Sequence, residues 1–517
     1  MNEQTITQKE IPTSIIHASS SRRKGALLTF LLWALLICNL LFEEVMGLNA
    51  AIITAVSIPL FGFLDTERLS RRLWWWSVLF WSISAFAVVM IASPISYFTY
   101  FVAFLFFTAV NHSKFISLPL GLIQSILSLA IGFAKSIERI IAYFNDKEAR
   151  KGSKSVIKFI TYSLPIIIGI IFLKLYQSAD ETFYEYTKFI NLDWISWQFL
   201  MYYILTTFVT YGFYYYSQQK DLLDFEENLP NEIPSTYSDK IERYLGTVNE
   251  TKIAMSILIT LNIMLILYNF IDLRYILVDL HDPNRTMIFS EMVHNGINSL
   301  IASLILVIII ISFLFRGAVN FSSNKTLKVL GIFWLIQNSI MVITTLIKNW
   351  EYVEGWGLTH KRIGVFIYLF LALVGLSLAL YKIAKKKSFW FLLRNSALAF
   401  ALVLTSLTTF SWSRLIADYN LSHLVHEKID FHYLHEMGPS TYKSIANYHT
   451  PESPVPQGVL VGIAESIEYE LDWLVVNREN LSWRSLSYLD YQLDKELRSI
   501  NITVPEGLEQ NYGRNEY

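Results

Sequence analysis

The chain is short of cysteine and of charge, and each shortage excludes whole classes of protein. Cys38 is the only cysteine among 517 residues, which rules out an internal disulfide and a thiolate metal cluster. It also lies inside the first apolar run, so no cysteine nucleophile stands in the aqueous phase. Charged residues make up 16% of the chain and hydrophobic ones 53%, whereas a soluble domain carries about 25% charge. That deficit points to a bilayer. With a formal net charge of −1 there is no basic surplus to displace counterions from phosphate, so nucleic acid is disfavoured as a partner. The sequence also has no Walker loop, no GxSxG elbow, no duplicated half and no intramembrane histidine pair. No catalytic motif is found, and no cofactor is expected.

What the chain has is long uncharged runs separated by short loops. A bilayer core about 30 Å thick is crossed by about 20 helical residues. Runs of that kind lie at Ala26–Phe42, Gly47–Leu64, Trp74–Ile91, Ile95–Val110, Val156–Tyr176 and Trp197–Tyr216. The second half adds Ile253–Ile271, Ile297–Phe315, Leu327–Ile347, Ile363–Ile383 and Asn395–Trp412. Helices satisfy their own backbone hydrogen bonds in lipid. The expected fold is therefore an all-α polytopic membrane protein of about eleven transmembrane helices with a small helical tail. Residues 1–24 form a cytoplasmic segment, 25–412 the membrane domain and 413–517 the tail.

The loop charges give an orientation. Arg22, Arg23 and Lys24 precede the first run, and later loops on the same side hold Arg68, Arg71, Arg72, Lys114, Arg316, Lys325, Lys328 and Lys385–Lys387. Loops on the other side carry Glu43, Glu44, Asp180, Glu181, Asp272 and Glu291. By the positive-inside rule the N-terminus is cytoplasmic and the tail lies outside a bacterial cytoplasmic (inner) membrane. One segment is ambiguous. In Phe115–Ala134 and just beyond, Ser117, Gly121, Gln124, Ser125, Ser128, Gly132, Ser136 and Arg139 share one helical face. The expectation is an amphipathic helix over 115–141 lying on the cytoplasmic surface. Its rival is a spanning helix with a small-residue packing seam, which by parity would invert every later loop.

Within the runs the polar residues are amides: Asn262, Asn269, Asn298, Gln337 and Asn338. Interhelical hydrogen bonds are their expected role, worth roughly 0.6–2 kcal/mol each. Asp272 stands near a run end, where it can reach water. Sixteen acidic residues, eight basic ones and five of the ten histidines fall in the tail. His423 and His426, then His432 and His435, each share a helical face beside Glu427 and Glu436. Imidazole with carboxylate suits zinc, although the spacing is not the HExxH of a zinc protease. The alternative makes these histidines plain polar residues of two short amphipathic helices.

Five short stretches occur in order: Ser178–Phe183, Ser290–Gly296, Gln337–Asn338, Gly357–Arg362, and Ala417–Asn420 with Ile429–Leu434. Together they resemble a bacterial membrane family known as domain of unknown function 4173, over Lys154 to the C-terminus. The resemblance implies a multi-pass membrane protein, supplies no activity, substrate or cofactor, and does not require the paired histidines. On the expected topology Asp180, Glu291, His294, Thr359, His360 and Arg362 gather at the outer membrane face. They read either as ion pairs of Asp180 and Glu291 with Arg362, or as a polar site for a lipid headgroup, peptide or envelope polymer. Membrane lipids and other envelope proteins are the expected partners. A structural, assembly or binding role in the envelope comes first, then a transporter or flippase, then an integral membrane enzyme.

Overall fold

The computed structural model describes residues 29–145, 154–188, 197–215, 220–233, 246–279, 289–316, 325–480 and 483–500. Among them the chain is helical throughout, with no strand. The first group comprises α1 (Thr29–Leu41), α2 (Leu48–Leu64), α3 (Arg72–Ile91), α4 (Pro94–His112), α5 (Leu118–Asn145), α6 (Lys154–Ala179), α7 (Glu181–Thr187) and α8 (Trp197–Tyr214). A short α9 (Lys220–Glu227) leads to α10 (Thr247–Arg274), α11 (Phe289–Leu314), α12 (Lys325–Trp356), α13 (His360–Lys385) and α14 (Phe389–Leu407). The tail holds α15 (Trp412–His423), α16 (Phe431–Glu436), α17 (Pro439–Tyr448), α18 (Gln457–Asn480) and α19 (Tyr488–Leu497). Each expected run contains a helix, and the last ends at Leu407, short of Trp412. Among the described residues seven helices (α3, α4, α5, α10, α12, α13 and α14) are long and apolar enough to cross a membrane.

Local chemistry sets the helix limits. Ser93 and Ser96 form a capping box ahead of Pro94, and Ser388 caps α14; such caps satisfy amides that have no partner within the helix. The helices then pack in three groups. Trp33, Phe61, Trp74, Trp81 and Phe107 are the centre of the first, formed by α1–α5 and α8. Leu258, Ile311, Leu335, Leu369 and Leu376 centre the second, formed by α10–α13. The third joins the end of α12 and the start of α13 to the tail through Val353, Ile363, Ile416, Leu434 and Ile445. Large apolar side chains point outward instead, on α10 at Ile263, Met264, Leu267, Phe270 and Ile271. A continuous apolar exterior of this size calls for lipid around it.

The polar stripe of α5 faces protein. Gln124, Ser125 and Ser128 are wholly buried, while Ile123, Ile126, Leu127 and Phe133 are exposed. Ser125 Oγ donates to Leu105 O and meets Thr108 on α4. Ser128 Oγ donates to Gly212 O on α8, and a Cβ on Gly132 would collide with Gly212 itself. Partners on both neighbours fall in number as α5 advances, from Ala109 to Leu105 and from Gly212 to Phe208. The helix therefore runs antiparallel alongside α4 and α8. A surface helix would turn this stripe to water; here it is the packing seam.

Two rows of polar contacts mark the ends of the bundle. At one end Lys114 pairs with Glu67, Arg394 with Glu226, Lys387 with Glu232 and Arg316 with Glu250. Glu226 also accepts from Ser117 Oγ, so α9 ties the α4–α5 turn to the start of α14. At the opposite end lie the α1–α2 turn, the α12–α13 turn and the whole described tail. The tail stands opposite Arg68, Lys114 and Lys387 whichever way α5 runs, because contacts and not parity place it. In a Cys38→Ala background, a cysteine at Ser153 is expected to react with an impermeant maleimide from the same side as one at Ser422. Reaction from opposite sides would put α5 back on the surface.

Candidate functional site

The site grows from the end of α12. Gly357 terminates that helix at φ +78°, the left-handed position that glycine fills without strain. Its missing side chain matters a second time, since a Cβ there would stand 2.5 Å from Asn420 Oδ1. Asn420, on α15, reads the next residue as a second backbone would. Its Oδ1 accepts from Leu358 N at 2.6 Å and its Nδ2 donates to Leu358 O at 2.9 Å. Thr359 Oγ1 then accepts from Arg362 N and starts α13. Tyr433 Oη, on α16, accepts from His360 N at 3.1 Å, and its hydroxyl also meets His360 Nδ1. Beneath these bonds Leu358, Ile363, Ala417, Ile429 and Leu434 share one apolar core. Three of the five sequence stretches (Gly357–Arg362, Ala417–Asn420 and Ile429–Leu434) thus converge into a dock that holds the tail.

The tail touches the first group of helices as well. Arg484 pairs with Glu44 at 2.6 Å and also donates to Asn39 O. Ser485 donates to the Glu44 carboxylate and accepts from Val45 N, and Leu48 N donates to Leu486 O. A Cβ on Gly47 would lie 2.5 Å from Ser485 O, so only glycine lets the two backbones approach this closely.

The expected outer-face cluster is not assembled as proposed. Asp180 caps α7, its Oδ1 accepting from Thr182 N and Phe183 N. Arg362 turns to the backbone carbonyls of Trp356 and Gly357 and lies over the Tyr352 ring at 3.9 Å. Among the described residues no ion pair joins Asp180 to Arg362. Thr359 and His360 do meet, within the dock. The side chains of Glu291, His294 and Asn298 lie outside the described residues.

The amides form a seam between α10 and α12. Asn262 Nδ2 donates to Leu258 O and Leu330 O, Gln337 Nε2 donates to Asn262 Oδ1 at 2.5 Å, and Asn269 Nδ2 donates to Gln337 O. Of an amide's two polar atoms only the nitrogen can donate to a carbonyl, so these bonds fix each amide's orientation. They leave the buried Gln337 Oε1 and Asn269 Oδ1 with no hydrogen bond. Asn338 bonds within its own helix, to Trp334 O. The seam ends in a group that sequence reading placed near water: Asp272 is buried, paired with Lys348 and bonded by Thr344 Oγ1. Neither Lys348 nor Thr344 was singled out, because helical spacing alone does not say which neighbour faces α10.

The tail histidines stand apart from one another. His423 stacks on Tyr419 at 4.3 Å, His426 on Tyr448 at 6.1 Å and His435 on Tyr442 at 5.5 Å, while His432 pairs with Glu436. Among the described residues no group of three or more His, Cys, Asp or Glu is placed to hold a metal. The aromatic ring beside each, not a common ion, accounts for three of the four.

Fold and site together define a class: an all-α, membrane-type bundle capped at one end by its own C-terminal helices. The chain belongs to the family described as domain of unknown function DUF4153, whose model matches residues 50–448. That stretch reaches from the start of α2 to the end of α17 and contains the whole dock. The expected kinship with an uncharacterised family holds, but under this number and not 4173. No curated protein and no solved structure matches the chain.

Two measurements follow. Lys348→Met strands a buried Asp272 and is expected to cost about 3 kcal/mol, read as thermal unfolding in detergent. The double variant Asp272→Asn/Lys348→Met should recover part of that loss; equal instability of both would contradict the pairing. In the tail, burial and the nearby Asp490 push the Glu470 carboxyl up. A carboxyl raised in the folded state binds its proton better there, so its effect on stability becomes unfavourable as pH climbs through the raised value. Glu470→Gln should therefore raise the melting temperature at neutral pH and give no gain at about pH 4. An equal gain at both would remove the electrostatic cause.

Proposed function

We propose that this is a multi-pass protein of the bacterial cytoplasmic membrane whose tail forms a fixed extracytoplasmic cap with a structural or binding role in the cell envelope. The observation that carries this is the dock, in which three of the five sequence stretches hold the tail to the membrane helices. The basic side chains at the opposite end of the bundle support a cytoplasmic N-terminus and an outside tail. The polar surface around His360, Thr359 and the tail is where an envelope polymer, lipid headgroup or second envelope protein would meet it.

A second reading, transport, draws on the α10–α12 seam. A buried ionisable pair next to unbonded amide oxygens is the kind of feature that marks a substrate or ion path in membrane helices. The two readings separate in cells lacking the chromosomal copy. A cap role predicts that Asn420→Leu fails to restore resistance to osmotic and detergent stress, whereas Asp272→Asn/Lys348→Met restores it. The reverse pattern would favour transport and defeat the cap.

A further inference from the structure

The edge of the tail nearest the first helical group carries aromatic and apolar side chains that no described residue covers. Trp483 is 59% exposed, Leu486 51%, Tyr488 44% and Tyr491 61%. The tail is otherwise acidic, and an exposed cluster of this kind in water would promote aggregation. Its position against the helix ends is fixed by hydrogen bonds. Leu486 O accepts from Leu48 N, the first residue of α2, and Ser485 Oγ accepts from Val45 N. The α19 helix that follows packs on α3, and Tyr97 Oη, at the start of α4, donates to Met46 O in the turn that this edge touches. The membrane-type helices α2 and α3 therefore meet this edge directly. Val45, in the α1–α2 turn and bonded to Ser485, is also 53% exposed. Tyr488 and Tyr491, three residues apart, share one face of α19, with rings 6.4 Å apart.

We propose that Trp483, Leu486, Tyr488 and Tyr491 insert into the headgroup region of the adjacent leaflet, making the last part of the tail an interfacial anchor. Tryptophan and tyrosine suit that layer because each has an apolar body and a polar tip. A short helix lying in the interface buries one face to a depth of several ångströms. Arg484 does not compete for the lipid, since its guanidinium is taken up by Glu44 and Asn39. The edge thus holds the tail to lipid while the Gly47 contact holds it to protein, and the two act on neighbouring residues.

Spin labels at Leu486→Cys and Tyr491→Cys, each in Cys38→Ala full-length protein, test this after reconstitution into phosphatidylethanolamine and phosphatidylglycerol vesicles. Collision with oxygen, which concentrates in lipid, is expected to exceed collision with a water-soluble nickel chelate at both sites. A ratio favouring nickel would mean the edge is in water, and poor access to both reagents would mean protein covers it. Either result overturns the anchor. If labelling disturbs the fold, Trp483→Ser/Tyr491→Ser provides the second arm. It should speed proteolysis of the tail in vesicles and leave the rate in detergent unchanged; equal rates in vesicles would overturn the proposal.

Discussion

The arrangement depends on how the tail is seated against the turn between α12 and α13. Asn420 supplies a donor and an acceptor to the two backbone groups of Leu358, both of which are buried. Left unpaired in an apolar core they would each carry a desolvation cost of about 1–3 kcal/mol. Gly357 makes the approach possible and Tyr433 closes the next turn. Because the second tail contact, at Gly47 and Glu44, belongs to a different helical group, the tail spans both halves of the bundle at one end. At the other end α9 performs a similar connection through Glu226. The two halves are thereby joined at both ends, and α14 packs between them.

Much of this could be read in the sequence because bilayer physics is coarse. Apolar length decides which segments are helices, and each expected run contains one among the described residues. The face of α5 was legible as a stripe but not as a direction, since periodicity shows that polar residues share a side and not whether that side meets water or another helix. Gly132 and Gly212 hold the deciding information, yet only their juxtaposition reveals it. Counting by parity makes every later loop depend on that one segment, whereas Glu44 against Arg484 places the tail beside the α1–α2 turn directly.

The site was legible in its stretches and not in its pairs. Gly357–Arg362, Ala417–Asn420 and Ile429–Leu434 were each picked out, but charge suggested Asp180 and Arg362 as partners. Neutral groups do the joining instead. Asn420 and Tyr433 bond to backbone, and Arg362 is occupied by carbonyls and the Tyr352 ring. Likewise the histidines at helical spacing invited a shared metal, and each found its own neighbour. In the membrane helices Asn262, Asn269 and Gln337 bond between helices while Asn338 bonds within its own, and Asp272 is buried beside Lys348.

The tail is seated on the membrane helices through Leu358. Hydrogen exchange of the full-length protein in lipid nanodiscs checks this by following the Leu358 amide in the native chain and in Asn420→Ala. Slow exchange is expected at Leu358 in the native chain and marked acceleration in the variant, with α13 beyond Ile363 unchanged. Fast exchange at Leu358 in the native chain would contradict it.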